Sequence, residues 1–167
     1  MSAADRTREW IEGFVLARDL CPFAHEPWAA GEVRVVTASA SDAQRCLRAA
    51  IDEVARLAED ATVETTLVVF DGGAFESFEA LLDAGATLEA LLEESGLDAD
   101  VQVVAFHPAF RFDGADPEDP ANRVNRSPYP MLHLLRAASV ERAVARYPDA
   151  ASIADRNAAK LRGDEEV

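Results

Sequence analysis

The sequence predicts an α/β fold: a single compact domain with a central, mostly parallel sheet of about three strands flanked by helices. Three observations carry this. Short apolar runs rich in β-branched residues recur at Val33–Thr37, Thr65–Phe70 and Val101–Phe106. Amphipathic helical stretches lie between them, so strand and helix alternate as in βαβ units. The chain of 167 residues, 49% hydrophobic and 28% charged, suits one globular domain with a real core.

Each element has its own signal. Over residues 5–19, Trp10, Ile11, Phe14 and Val15 fall on one helical stripe. The stripe runs into Leu20-Cys21-Pro22-Phe23-Ala24, where Pro22 disfavours helical backbone at Cys21. Val33–Thr37 follows as a short strand. Ser41 and Gln44 have capping-box spacing. They precede a helix whose apolar face holds Cys46, Leu47, Ala50, Ile51, Val54, Leu57 and Ala58, which makes Cys46 a core residue. Thr65–Phe70 reads as a buried strand ended by the Asp71-Gly72-Gly73 turn. Phe75, Phe78, Leu81, Leu82, Leu88, Leu91 and Leu92 mark the next helix, with a break expected near Gly85 and Gly96 as C-cap. His107-Pro108 ends the third strand. A loop of roughly twenty residues follows, at about 107–129, longer than a plain connection needs. Pro130 suits the first turn of a helix, on which His133 and Arg136, three apart, share a face. Ser139 and Asp149 are expected to cap two more helices, giving a helical C-terminal part, and the tail from Gly163 is expected to fray.

Charge narrows the function classes. The net charge is -15 and the pI about 4.5, which argues against sequence-independent nucleic-acid binding and against an anionic membrane surface. No apolar run approaches the roughly 20 residues of a membrane-spanning helix, and Met1–Arg6 carries no signal-peptide core. The expectation is a bacterial, cytoplasmic protein whose two cysteines, Cys21 and Cys46, are reduced. Fifteen arginines against one lysine, Lys160, with abundant alanine, suggest a GC-rich coding bias. The lone lysine near the C-terminal tail argues against Schiff-base chemistry.

The candidate site lies between Phe106 and Arg136. From Pro120 to Arg136 there are three arginines and no acid. The residues proposed as catalytic are His107, Cys21 and His133; those proposed to bind substrate are Asn122, Asn125, Arg126, Tyr129 and Arg136. The Ser127-Pro128 and Tyr129-Pro130 bonds stiffen the loop, and either has the chemistry to be cis. The loop would deliver Asn125 and Arg126 to a helix start, where free N–H groups favour anions. His133 and Arg136 would complete a grip on a carboxylate or phosphate. The structural alternative is a stiff loop whose asparagines satisfy backbone groups and whose arginines pair with Asp113, Asp116, Glu118 or Asp119.

His107, at a strand end, is placed as general base or ligand, or as a cap on strand-end carbonyls. His133, between two leucines, is equally a satisfied core histidine. Cys21, with His25 four residues on, is a nucleophile, a metal ligand or a small buried hydrophobe beside Phe23; a helix C-terminus would disfavour its thiolate. Cys21, His107 and His133 match an open zinc site in type and number, but from three separate elements. The acidic run Asp113, Asp116, Glu118 and Asp119 lacks EF-hand spacing. Asp71-Gly72-Gly73 is not a phosphate-binding loop, and no GxSxG, HExxH or kinase signature is present.

The segments Leu20–Ala24, Phe106-His107-Pro108 and Asn125–Arg136 together resemble a bacterial family catalogued as domain of unknown function 1415, over nearly the whole chain. In that family's pattern an acidic residue commonly follows the arginine after His-Leu-Leu, whereas Ala137 stands here. The resemblance implies a shared site around Cys21, His107, Asn125, Arg126 and His133, and implies no activity. Function is therefore read from the residues. The first reading is an enzyme acting on a small anionic metabolite at a His/Arg/Asn-lined pocket. Arg126 and Arg136 hold the anion, Asn125 orients it, and His107 moves protons, with or without a metal. The alternative is a non-catalytic module for a small anion or peptide; a purely structural motif is the third. Cofactor, metal and oligomeric state are not fixed by the sequence.

Overall fold

Three of the four strands in the computed structural model, which describes residues 1–164, stand where β-branched runs place them. Helix α1 (Ala3–Trp10) runs on as a π-helical segment (Ile11–Leu16). After it come α2 (His25–Ala30), β1 (Val33–Ala38), α3 (Ala43–Glu59), β2 (Thr65–Phe70), α4 (Phe78–Ser95) and β3 (Val101–Phe106). A 3-10 turn (Pro120–Asn125), β4 (Met131–Arg136), α5 (Ala137–Arg146), a second 3-10 turn (Ala150–Ser152) and α6 (Ile153–Gly163) complete the chain. The expected fraying beyond residue 164 lies outside the described residues.

Local chemistry sets the helix ends. Ser2 and Asp5 form a reciprocal capping box on α1. The cap of α3 is Asp42, whose carboxylate accepts from the Arg45 N–H at 2.9 Å, in place of the expected Ser41. Ser77 caps α4, and Gly96 closes it in the left-handed conformation at φ 70°. Helix α4 passes through Gly85 unbroken: this glycine is buried and faces Leu132, so it serves close packing. At Gly72 a side chain would run into the backbone of Ser39 and Ala40, so the Asp71-Gly72-Gly73 turn works by close approach of two chain segments.

The sheet departs from expectation. It has four strands in the order β1-β2-β4-β3. β1 pairs with β2 in parallel, while β4 runs antiparallel to both its neighbours. The three predicted strands do point one way, but β4 is inserted against them, so the sheet is mixed rather than mostly parallel. Met131–Arg136 is thus a strand, not a helix opened by Pro130, and His133 and Arg136 lie on opposite faces of it instead of sharing one. The physical reason is burial on both faces. Met131, Leu132 and Leu134 are each 0% exposed, so the segment shows no polar alternation, and an apolar run of that kind carries no period that separates strand from helix.

Two apolar layers sandwich the sheet. On one face Val68, Phe70, Leu132 and Leu134 pack with Val54 and Leu57 of α3 and Leu81 and Leu88 of α4. On the other, Val35, Leu67, Val69 and Met131 pack with Ile11 and Trp10. Each fully buried large aliphatic contributes about 1.5–3 kcal/mol. One polar group sits inside this packing: the Thr66 hydroxyl, 1% exposed, finds no hydrogen-bond partner among the described residues. Its desolvation is uncompensated. Thr66→Val is therefore expected to raise stability by about 1 kcal/mol, read as a higher urea midpoint at unchanged slope; a lower midpoint would mean that the hydroxyl is satisfied.

Candidate functional site

His107 ends β3 with its ring 2% exposed and turned toward α4. Its Nε2 donates to the Phe75 carbonyl at 3.1 Å, and its Nδ1 accepts from the Ala109 N–H at 2.9 Å. Both nitrogens are thus occupied by backbone, and the bonds fix the Nε2–H tautomer. The ring joins three segments: the strand end, the turn before α4 and the start of the long loop.

That loop is braced by the same side chains the sequence singles out. Asn122, 0% exposed, accepts from the Phe112 N–H at 3.0 Å and donates to the Asp116 carbonyl at 2.8 Å. Arg126 donates to the carbonyls of Phe110 at 3.0 Å and Pro117 at 2.6 Å. Asn125 accepts from the His107 N–H through its backbone and reaches the Ala105 carbonyl with its amide. The Ser127 hydroxyl donates to the Tyr129 carbonyl, and Tyr129 packs against the Met131 side of the sheet. Among the described residues no peptide bond is cis, so both X-Pro bonds are trans. The acidic run makes turns rather than a cation site. Asp116 accepts from the Glu118 N–H. Asp119 caps the first 3-10 turn and pairs with Arg162 at 2.7 Å, which with the Ala121 N–H brings its carboxyl down to about 2.

The two β4 residues separate. Arg136 reaches the end of α3, where it donates to the Val63 and Asp60 carbonyls at 2.8–3.0 Å. His133 sits on the opposite face, its Nε2 2.6 Å from the Thr65 hydroxyl. That hydroxyl spends its one proton on the Leu134 carbonyl at 2.7 Å, so it accepts from His133. The imidazole therefore carries its proton on Nε2, and Nδ1 has no hydrogen-bond partner among the described residues. The ring keeps a little accessible surface, but neighbouring atoms crowd it, and the resulting desolvation lowers its pKa to about 4.

Cys21 belongs to a separate turn leading into α2. Burial raises its thiol pKa; the N–H groups of Phe23 and Ala24 pull it down, and Asp19 adds to the rise. The turn is held by α6. Asn157 donates to the Leu20 carbonyl at 2.6 Å, and Lys160 donates to the carbonyls of Arg18 and Asp19. These bonds support Asp19 at φ 49°, a left-handed conformation rare outside glycine. His25 faces Asp19 rather than Cys21. Cys46 is buried in the core, as its place on the helix stripe predicts. Among the described residues no three His, Cys, Asp or Glu side chains gather as a metal site would require, so Cys21, His107 and His133 are not brought together.

What the fold does assemble is an arrangement that sequence spacing leaves hidden. The Arg123 guanidinium lies over the Phe14 ring at 5.5 Å, and Arg18 lies over the same ring at 5.0 Å. One turn earlier, Trp10 meets Phe106 edge-on at 5.7 Å, and Phe106 lies 6.0 Å from His133. The π-helical segment carries Phe14, and π turns often mark functional positions because they displace a side chain from α-helical register. Arg123 stood inside the arginine-rich segment yet carried no local motif. Thr65 and Phe14 were read only as strand and helix residues, and Asn157 not at all, since their partners lie 68, 109 and 137 residues away.

These features define an α/β protein with a mixed four-stranded sheet and a polar, self-braced loop. The chain belongs to the family described as protein of unknown function (DUF1415), whose model matches residues 2–166. No curated protein and no solved structure matches it. Among the described residues no helix is long and apolar enough to cross a membrane.

Proposed function

We propose that the protein binds a small anionic ligand, with Arg123 as the charged anchor. The observation that carries this is the state of Arg123. It is half-buried, stacked on Phe14, and without a carboxylate within ion-pair distance among the described residues, although acids outnumber basic residues 31 to 16. Arg126 and Arg136, the arginines first assigned to the anion, are turned to backbone carbonyls. Arg18 adds positive charge on the same ring, partly offset by its 2.9 Å pair with Asp164. A guanidinium offers a planar fork suited to carboxylate or phosphate.

A binding role is favoured over proton-transfer chemistry by the three side chains assigned to catalysis. Both His107 nitrogens are committed, His133 titrates near 4, and the Cys21 thiol is shifted upward. His107 thus has no free nitrogen to offer a substrate, and His133 and Cys21 are both shifted away from neutral.

The test is thermal shift with inorganic phosphate, pyrophosphate and a panel of dicarboxylates, followed by titration of whichever anion raises the melting temperature. Arg123→Gln is expected to weaken that anion roughly tenfold to a hundredfold, the loss of one charge-assisted contact, with Arg126→Gln affecting melting more than binding. An anion bound equally well by Arg123→Gln, or a panel without any shift, would sink the reading.

A further inference from the structure

We infer that the outer edge of β3 accepts an extended, basic peptide as a fifth strand of the sheet. The argument begins with hydrogen-bond parity. The Ala137 N–H donates to the Asp100 carbonyl at 2.9 Å, continuing the β3–β4 register by one pair. Bonded pairs alternate along an antiparallel ladder, so Gln102, Val104 and Phe106 bond to β4, while Val101, Val103 and Ala105 turn their backbone outward. The chain closes both ends of that edge. The Val101 N–H goes to the Leu97 carbonyl, and the Ala105 carbonyl takes the Asn125 amide. Between these closures the Val101 carbonyl, both Val103 groups and the Ala105 N–H have no partner among the described residues. That window fits an added strand of about four or five residues.

The side chains beside the window specify the occupant. Outward-bonding residues of β3 point to the α4 face, where a groove of about 610 Å³ runs between strand and helix. It is lined by Ala86, Ala90, Val101 and Val103 together with Glu89, Glu93 and Asp98, and no basic residue is among its lining. Helix α4 contains no lysine or arginine. β3 itself lacks the charge, proline or bulge that usually guards a free edge. An acidic rim beside apolar lining suits an added strand whose groove-facing positions, every second residue, are Lys or Arg, with methylene stems over Ala86, Ala90 and Val103 and charges toward Glu89 and Glu93. A second copy of this chain fits poorly, because a two-fold pairing through β3 would set Glu89 and Glu93 against their counterparts, between molecules that each carry -15.

The experiment uses the full chain, isotope-labelled, and a blocked synthetic peptide alternating valine and lysine. Binding is expected to slow amide exchange at Val103 and Ala105 specifically and to weaken with added salt. The surface double variant Glu89→Lys/Glu93→Lys is expected to lose affinity roughly tenfold or more, and a peptide N-methylated on every backbone amide, which leaves neither edge an N–H to donate, is expected not to bind. Unchanged exchange at Val103 and Ala105, undiminished binding by the charge-reversed variant, or equal binding of the methylated peptide would overturn the inference. So would concentration-dependent dimerisation that protects the same two amides without peptide, since it would give the edge to a second copy.

Discussion

Replacing His107 with alanine is expected to cost about 3 kcal/mol of stability, a lowering of the melting temperature by roughly 10 °C for a chain this size. Two losses add. The ring fills a site that is 2% exposed, against Phe78 at 5.6 Å, so its removal leaves a cavity. The Ala109 N–H and the Phe75 carbonyl then lose the partners they have at 2.9 and 3.1 Å, and no other group stands ready for them. His107→Asn is expected to recover part of the loss, because its carbonyl oxygen occupies about the place of Nδ1 and can accept from Ala109. If the histidine were instead held for chemistry, alanine would leave the melting temperature nearly unchanged. A shift under about 2 °C would therefore refute the bracing role and return His107 to the list of reactive groups.

The same contrast explains what the sequence made legible. The long helices were readable because each has one partner surface and so one clear period: Cys46, Ala50, Val54 and Leu57 recur along α3 and all are buried; the three strands were readable from their β-branched runs. β4 lies between two strands and under side chains on both faces, as β2 does, but it lacks the β-branched residues that mark β2. It therefore looks like any apolar run, and the helix-start preference of Pro130 tipped it the wrong way. The candidate segment was legible as unusual but not as to why. Asn122, Arg126 and Arg136 carry the kind of donors a binding site would use, but here they are turned to backbone carbonyls. Where their donors go depends on Asp116, Pro117 and Val63, up to 73 residues distant. A loop running from 107 to 130 must satisfy many backbone groups without a ladder, and polar side chains inside it are the available partners. Richness in Asn, Arg and His thus measures how much backbone a long loop must satisfy as readily as it measures reactivity. Arg123 differs from its neighbours because its guanidinium is spent on an aromatic ring rather than on carbonyls.

His133 gives the protein a specific sensitivity to mild acid. Desolvation holds its pKa to about 4 in the folded chain, against about 6.5 when exposed. As pH falls, the unfolded chain takes up this proton first. The contribution of the neutral imidazole is then complete above about 6.5 and is lost progressively down to 4, to a total of about 3 kcal/mol. Carboxylates add their own acid lability lower down: Asp119 titrates near 2, and Asp5 and Asp60 sit below their ordinary value because Ser2 and Thr62 hydrogen-bond them. Their losses fall mainly below pH 4 and are common to any variant at position 133. His133→Leu isolates the imidazole. Leucine suits the apolar surroundings of Phe106 and Leu67, and the Thr65 hydroxyl keeps its 2.7 Å bond to the Leu134 carbonyl. The variant should match the native chain at pH 7 to within about 1 kcal/mol. It should then exceed it by roughly 2–3 kcal/mol near pH 4.5, as read from urea unfolding across the range. Stability curves that stay parallel from pH 7 to 4 would show that His133 titrates as an exposed imidazole, and that the β4 strand holds it less tightly than its bond to Thr65 implies.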